Sequence, residues 1–205
     1  MKKVFLSILV AATAAFAQYT SEAAGAPPSE ASAFAAVLQG EGVKISGSNG
    51  PAMEFWFVKE MPGGATAPEE NATLTEVPHG AFLGVVRFPA AGQDRRGQQI
   101  KPGVYTIRYS LFPIDGAHQG VEPQRDFFVL SPAAIDQDPA AKPNYETLVK
   151  MSLKASGTPH PLVFSFWKED TGAKPGLTQE GETWVLRTNI GSTLVGIIVV
   201  GVHAG

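Results

Sequence analysis

Phe55, Trp56, Phe57, Trp167 and Trp184 are the side chains of this sequence best suited to gripping a sugar, because aromatic faces stack on the apolar faces of sugar rings. Alternation places Phe55 and Phe57 on one face of an extended segment and Trp56 and Val58 on the other. One set therefore belongs to a core, and a core role for both sets stays open beside the sugar platform. Arg125-Asp126, just before Phe127-Phe128, offers a guanidinium fork that suits carboxylates and sugars, or else a local salt bridge at a strand entry. Catalytic templates are missing. The chain carries no GxSxG elbow, HExxH helix, phosphate loop or GxGxxG fingerprint. With no cysteine it has no thiol nucleophile, no disulfide and no Cys-ligated zinc or iron–sulfur centre. Glu169-Asp170 adjoin in sequence, but paired-carboxylate hydrolysis needs proximity in space. These residues favour a non-enzymatic binding or structural protein with an unknown protein or small-molecule ligand. A carbohydrate-binding or hydrolytic protein is the alternative.

The elements that must position such residues are mostly strands. In Val104–Leu111 the side chains of Tyr105, Ile107, Tyr109 and Leu111 point one way and those of Thr106, Arg108 and Ser110 the other, the pattern of a strand with one face buried. Pro102-Gly103 starts it; Pro113 and Asp115-Gly116 end it. Similar runs occupy Val43–Ser46, Met53–Lys59, Phe82–Phe88, Asp126–Leu130, Leu162–Lys168, Thr183–Thr188 and Thr193–Val202. Two short helical pieces are expected. Ser131 precedes a single turn over Pro132–Asp136, and Asn144 caps a helix over Tyr145–Ala155 that stops at Gly157. The predicted fold class is all-β: an antiparallel β-sandwich, immunoglobulin-like in its middle, with one or two short helices. The last strand, Thr193–Val202, is apolar on both faces. It is either a central strand covered on its second side, or an edge that builds a homo-oligomer through 193–202 by strand exchange.

Two resemblances arise around this central run. Pro102-Gly-Val-Tyr-Thr-Ile-Arg-Tyr109, then Asp115-Gly-Ala-His118-Gln-Gly120, then Arg125-Asp-Phe127 resemble a pattern shared by exported proteins of environmental bacteria. That resemblance spans about Phe55 to His160 and implies a fold but no activity. Residues 102–130 also resemble the end of the immunoglobulin-like periplasmic copper-resistance domain, where a strand runs into an Asp-Gly-His turn that binds Cu(II) beside an N-terminal histidine. The likeness implies Asp115 and His118 as ligands, with Ala117 inserted before the histidine and Gln18 where the terminal histidine would stand. A competent site needs further nitrogen donors, and His160 and His79 are the candidates. Copper, or a similar divalent metal, is thus the alternative cofactor. The other option is that no cofactor is bound and His118 is an ordinary loop residue.

Lys2-Lys3, an apolar run from Val4 to Phe16 and the small residues around Ala17 have the order of a secretory signal peptide, too short for a membrane span of about 20 residues. The expected organisation is a signal peptide at 1–17, a flexible leader at 18–32 and a single β-sandwich domain at 33–205, periplasmic or secreted after cleavage near Ala17. Cleavage removes two lysines and no acid, leaving 14 basic against 19 acidic groups, a net charge of −5. Such a surface excludes a nucleic-acid footprint and gives no pull toward anionic membranes.

Overall fold

Tyr105, Ile107, Tyr109 and Leu111 do share one face of a strand, and that face is the molecular interior. The computed structural model describes residues 18–64, 67–114 and 124–201. In chain order the strands are β1 (Thr20–Gly25), β2 (Gly42–Gly47), β3 (Gly50–Phe57), β4 (Phe82–Phe88), β5 (Gly92–Gln93), β6 (Gln99–Ile100), β7 (Gly103–Leu111), β8 (Asp126–Pro132), β9 (Leu162–Lys168), β10 (Gly176–Glu180), β11 (Thr183–Ile190) and β12 (Thr193–Val200). Helix α1 (Tyr145–Ser156) lies between β8 and β9, and a 3-10 helix covers Ser29–Phe34. The fold is all-β and antiparallel with few helices, as the alternation predicts. Ten strands form one continuous sheet in the order β1-β2-β3-β4-β7-β8-β9-β12-β11-β10, with β5 and β6 as a separate hairpin. The layers that face each other across the core are therefore two halves of one sheet. It curls until its free edges, β1 and β10, approach without pairing.

Apolar packing fills the inside of the curl. Phe57 meets Phe128, Phe88 meets Phe164, and Phe128 packs on Phe166 with ring centroids 4.0 Å apart. Burying each such ring contributes about 1.5–3 kcal/mol, so the interior holds without disulfides. At Gly84 the strands come so close that a Cβ would collide with the Trp56 carbonyl, and its φ of +154° accommodates the register shift between Phe82 and Gly84.

The outer face differs from its prediction. Thr106, Arg108 and Ser110 are as buried as their inward neighbours. They lie under residues 132–143, α1 and the 74–81 loop. Arg108 is fully buried and uses all five N–H donors, two on Asp136 at 2.7 Å and one each on the carbonyls of Gly80, Asp138 and Ala141. Irregular backbone covering a sheet leaves carbonyls without partners, and a guanidinium supplies donors where no strand can.

Helix α1 forms as its caps predict. The Asn144 side chain accepts from Thr147 N at 3.0 Å, and Gly157 closes the helix in the left-handed conformation at φ 65°. Leu148 seals a second apolar cluster with Phe112, Phe127, Val129 and Val163. The expected piece over Pro132–Asp136 is one turn after β8, closed by Ile135 N donating to the Pro132 carbonyl.

One expectation is corrected, and one choice is narrowed. Residues 18–32 are not a loose leader, because β1 pairs with β2 from Thr20↔Ser46 onward and Trp56 Nε1 donates to the Gly25 carbonyl at 2.8 Å. The side chains of β1 are small and mostly exposed, so backbone pairing holds it where no alternation could announce it. Of the two readings of 193–202, the structure has the central strand: β12 lies between β9, which pairs with Val195–Ile197, and β11, which pairs along its length. Val202 lies outside the described residues. No helix among the described residues is long and apolar enough to cross a membrane.

Candidate functional site

The chain direction sorts the connections into two ends of the curl. Residues 58–81, 169–175 and 191–192 gather at one. The other collects the start of β1, the β2–β3 turn, residues 89–102, the β10–β11 turn and the end of β12.

At the first end Asp126 is fully buried and takes four donors: Thr73 N at 2.7 Å, Thr73 Oγ1 at 2.9 Å, Leu74 N at 3.1 Å and the Tyr109 hydroxyl at 2.9 Å. Burial, reinforced by the Asp126 carboxylate, pushes the Tyr109 phenol far above its ordinary range, so it stays a donor. Arg125 does not pair with Asp126; it reaches Glu69 at 3.1 Å and the Phe112 carbonyl at 2.8 Å. Both residues are thus spent on holding the 69–74 loop to the sheet.

Of the candidate metal ligands, the two that are described, His79 and His160, lie apart. Asp115 and His118 lie outside the described residues. His79 sits where β7 ends, its Nδ1 3.2 Å from Ser110 Oγ and its ring against Tyr145 at the start of α1. Its Nε2 is buried without a hydrogen-bond partner, and burial lowers its pKa, with the Asn144 backbone partly opposing. His160 follows the far end of α1, where its Nδ1 lies 3.2 Å from an Arg96 nitrogen. Twelve helical residues, about 18 Å, separate the two imidazoles. Among the described residues no group of three His, Asp or Glu side chains is arranged to hold a metal.

The aromatic candidates also divide. Phe55, Trp56 and Phe57 are core. Trp167 is half-buried with its indole over Gly196, beside Arg187, which bridges Glu169 and Glu180 at 2.7 Å each. Trp184 stands behind residues that line a cleft. It pairs with Val200 across the strands and meets Tyr19 edge-on at 5.5 Å, joining the two halves of the sheet where they fail to close.

That cleft, about 320 Å³, opens at the second end between Tyr19, the start of β3, the β5–β6 hairpin and the end of β12. Met53 and Val199 make an apolar floor, and Gln93 and Gln99 stand on its exposed side. Asp94, at the hairpin tip, is buried and takes Arg96 N, Gln98 N, Gln98 Nε2 and Val163 N at 2.8–3.2 Å. Burial pushes its carboxyl up while these bonds oppose. The hairpin is fastened further by Arg95 N donating to the Val163 carbonyl and Gln98 Nε2 to that of Pro161. It thereby continues the pairing of β9 before β12 takes over.

Two further clefts, about 370 and 740 Å³, lie where the covering segments meet the outer face; small and apolar residues supply most of their walls. Tyr19, Gln93 and Gln99 escaped the sequence reading because they come from separate, polar or short segments. The Asp94-Arg95-Arg96-Gly97 stretch between Gln93 and Gln98-Gln99 reads in the sequence as no more than an exposed polar loop. No family model, no curated protein and no solved structure matches the chain.

Proposed function

We propose that the protein works outside the cytoplasm as a non-enzymatic binding module that takes a small ligand in the cleft beside the β5–β6 hairpin. One observation carries this reading. The buried carboxylates Asp94, Asp126 and Asp136 are each engaged by several donors, whereas the amides of Gln93 and Gln99 and the Tyr19 hydroxyl make no hydrogen bond to described residues. Saturated acids hold structure together, and uncommitted donors on an apolar floor suit recognition. Export is supported by the order of Lys2-Lys3, the apolar run Val4 to Phe16 and the small residues around Ala17, which is that of a secretory signal peptide.

The test has two parts. N-terminal sequencing of protein recovered outside the cytoplasm should begin at Gln18. Thermal-shift screening of a soluble metabolite set should find stabilisation that Gln99→Ala abolishes. Sustained turnover of chromogenic esters or glycosides by the purified protein would replace this reading with hydrolysis.

A copper or other divalent-metal protein is the second reading, favoured by the orphaned Nε2 of His79 and by the resemblance of residues 102–130. On this reading His79 would serve with Asp115 and His118, whereas His160, at the other end of α1 with its Nδ1 on Arg96, would not. Calorimetric titration with Cu(II) should show tight binding that His118→Ala loses; equal weak binding by both proteins removes this reading.

A further inference from the structure

We infer that the cleft beside the β5–β6 hairpin selects an uncharged sugar ring; this rests on the binding-module reading and names its ligand class. The hairpin register comes first. Gln93 and Gln99 are direct partners, so their side chains leave on the same face about 5 Å apart, while Ile100 turns the other way into the core. Neither carboxamide is committed to a described residue. Each presents an NH2 donor beside a carbonyl acceptor, an arrangement that matches neighbouring hydroxyls, one giving and one taking a hydrogen bond.

The rest of the cleft fits the other side of such a ring. Met53, Val199 and Ala52 offer an apolar surface to C–H groups. Tyr19 is wedged over Gly47, where a Cβ would lie 2.9 Å from its ring, and is braced by Trp184. Its hydroxyl is free to bond a ligand while the ring stays fixed.

Charge narrows the class. Of the lining residues only Asp94 is ionisable apart from the Tyr19 phenol, and its carboxylate is already taken by four donors. No lysine or arginine lines the cleft, and Arg95 beside it has its Nη1 on the Gly201 carbonyl at 3.2 Å, so the lining residues themselves offer a phosphate or carboxylate no counter-charge. A purely apolar chain fares no better, since it would strip water from two carboxamides and return no hydrogen bond. A sugar ring answers both demands. The hairpin is also held from behind by the bonds to Val163 and Pro161, so the two amides are positioned before any ligand arrives.

The experiment is an NMR titration of the ¹⁵N-labelled full chain with cellobiose, maltose, xylobiose and N,N′-diacetylchitobiose. At least one disaccharide should shift the side-chain NH2 signals of Gln93 and Gln99 and the Trp184 indole signal, with Kd on the order of 0.1–10 mM. Gln93→Ala and Gln99→Ala should each weaken binding about fivefold or more, with unchanged thermal midpoints, and Lys150→Ala on the exposed side of α1 should not. Silence of these signals toward all four sugars up to about 50 mM overturns the inference. So does binding that neither glutamine variant weakens. A response to decanoate without any to sugar overturns the sugar class and leaves the binding module standing. Cleavage of a disaccharide during the titration, seen as new anomeric signals, overturns the binding-module reading itself.

Discussion

Each end of the curled sheet is built on a buried aspartate that receives four hydrogen bonds, yet the two ends do different things. Asp126 draws its donors from Thr73 and Leu74, some fifty residues away in the chain, and from Tyr109 on the neighbouring strand. It fastens a distant loop to the sheet. Three of the four donors to Asp94 come from its own turn, Arg96 and Gln98, and only Val163 N belongs to the sheet. It shapes a hairpin that is then laid against β9. One carboxylate is a tertiary tie and the other mainly a local scaffold, and the locally scaffolded end presents the uncommitted amides.

Asp126→Ala should show the largest effect. It strands three backbone and hydroxyl donors and a buried phenol, so denaturant unfolding should report a loss of about 4 kcal/mol. Asp94→Ala should cost less, about 2 kcal/mol, because its turn can reopen to water. Hydrogen exchange should then quicken at Gln98 N and Val163 N and stay slow through β7 and β8; equal loosening at both ends would erase the distinction.

Acid provides a third, smaller probe with opposite signs. His79 packs the 74–81 loop against α1, and its pKa is lowered in the fold, so the unfolded chain binds the proton first as pH drops below 6.5. Stability contributed by neutral His79 is present above 6.5 and is lost as pH falls through that range toward the folded value. Asp94 is raised from 3.8, so the folded state binds more protons between that value and its own pKa, and stability at the hairpin falls as pH rises through the window. Thermal midpoints measured from pH 7 down to 5 should decline in the parent protein and decline less in His79→Gln. Smallest of all, the double change Gln93→Ala/Gln99→Ala should move stability by no more than about 0.5 kcal/mol, since both side chains are exposed and unbonded. A larger loss would assign them to the scaffold.

The sequence announced what side-chain periodicity can announce. Phe82–Phe88 and Leu162–Lys168 are strands over the residues expected, and Asn144 and Gly157 bound α1 as caps. Strands held by backbone pairing alone were silent: β1 with its small exposed residues, β10, and the two-residue members of the hairpin. Alternation also named Thr106, Arg108 and Ser110 as a polar face but could not say that the face is covered. That depends on residues 132–143 folding back over it, and Asp136, which meets Arg108 there, is distant in sequence. Of the cleft, Trp184 was visible as an aromatic candidate, but Tyr19, Gln93 and Gln99 acquire meaning only through the register of β5 with β6 and the approach of β1 to β11.

The meeting of Tyr19 with Trp184 also sets an order of assembly. The strands from β2 to β4 and from β7 to β9 pair with neighbours in the chain, across connections from two residues (48–49) to 29 (133–161), and closing these costs less loop entropy than closing the sheet's two margins. Tyr19 finds its aromatic partner only when Trp184, 165 residues further along, has been synthesised. The sheet can grow from its middle while its two margins stay apart, and the contact that joins them spans nearly the whole chain. Such a contact slows folding and leaves the first strand's margin exposed longest, so a chain halted before residue 184 would carry an uncompleted edge, the part of this molecule most open to wrong partners.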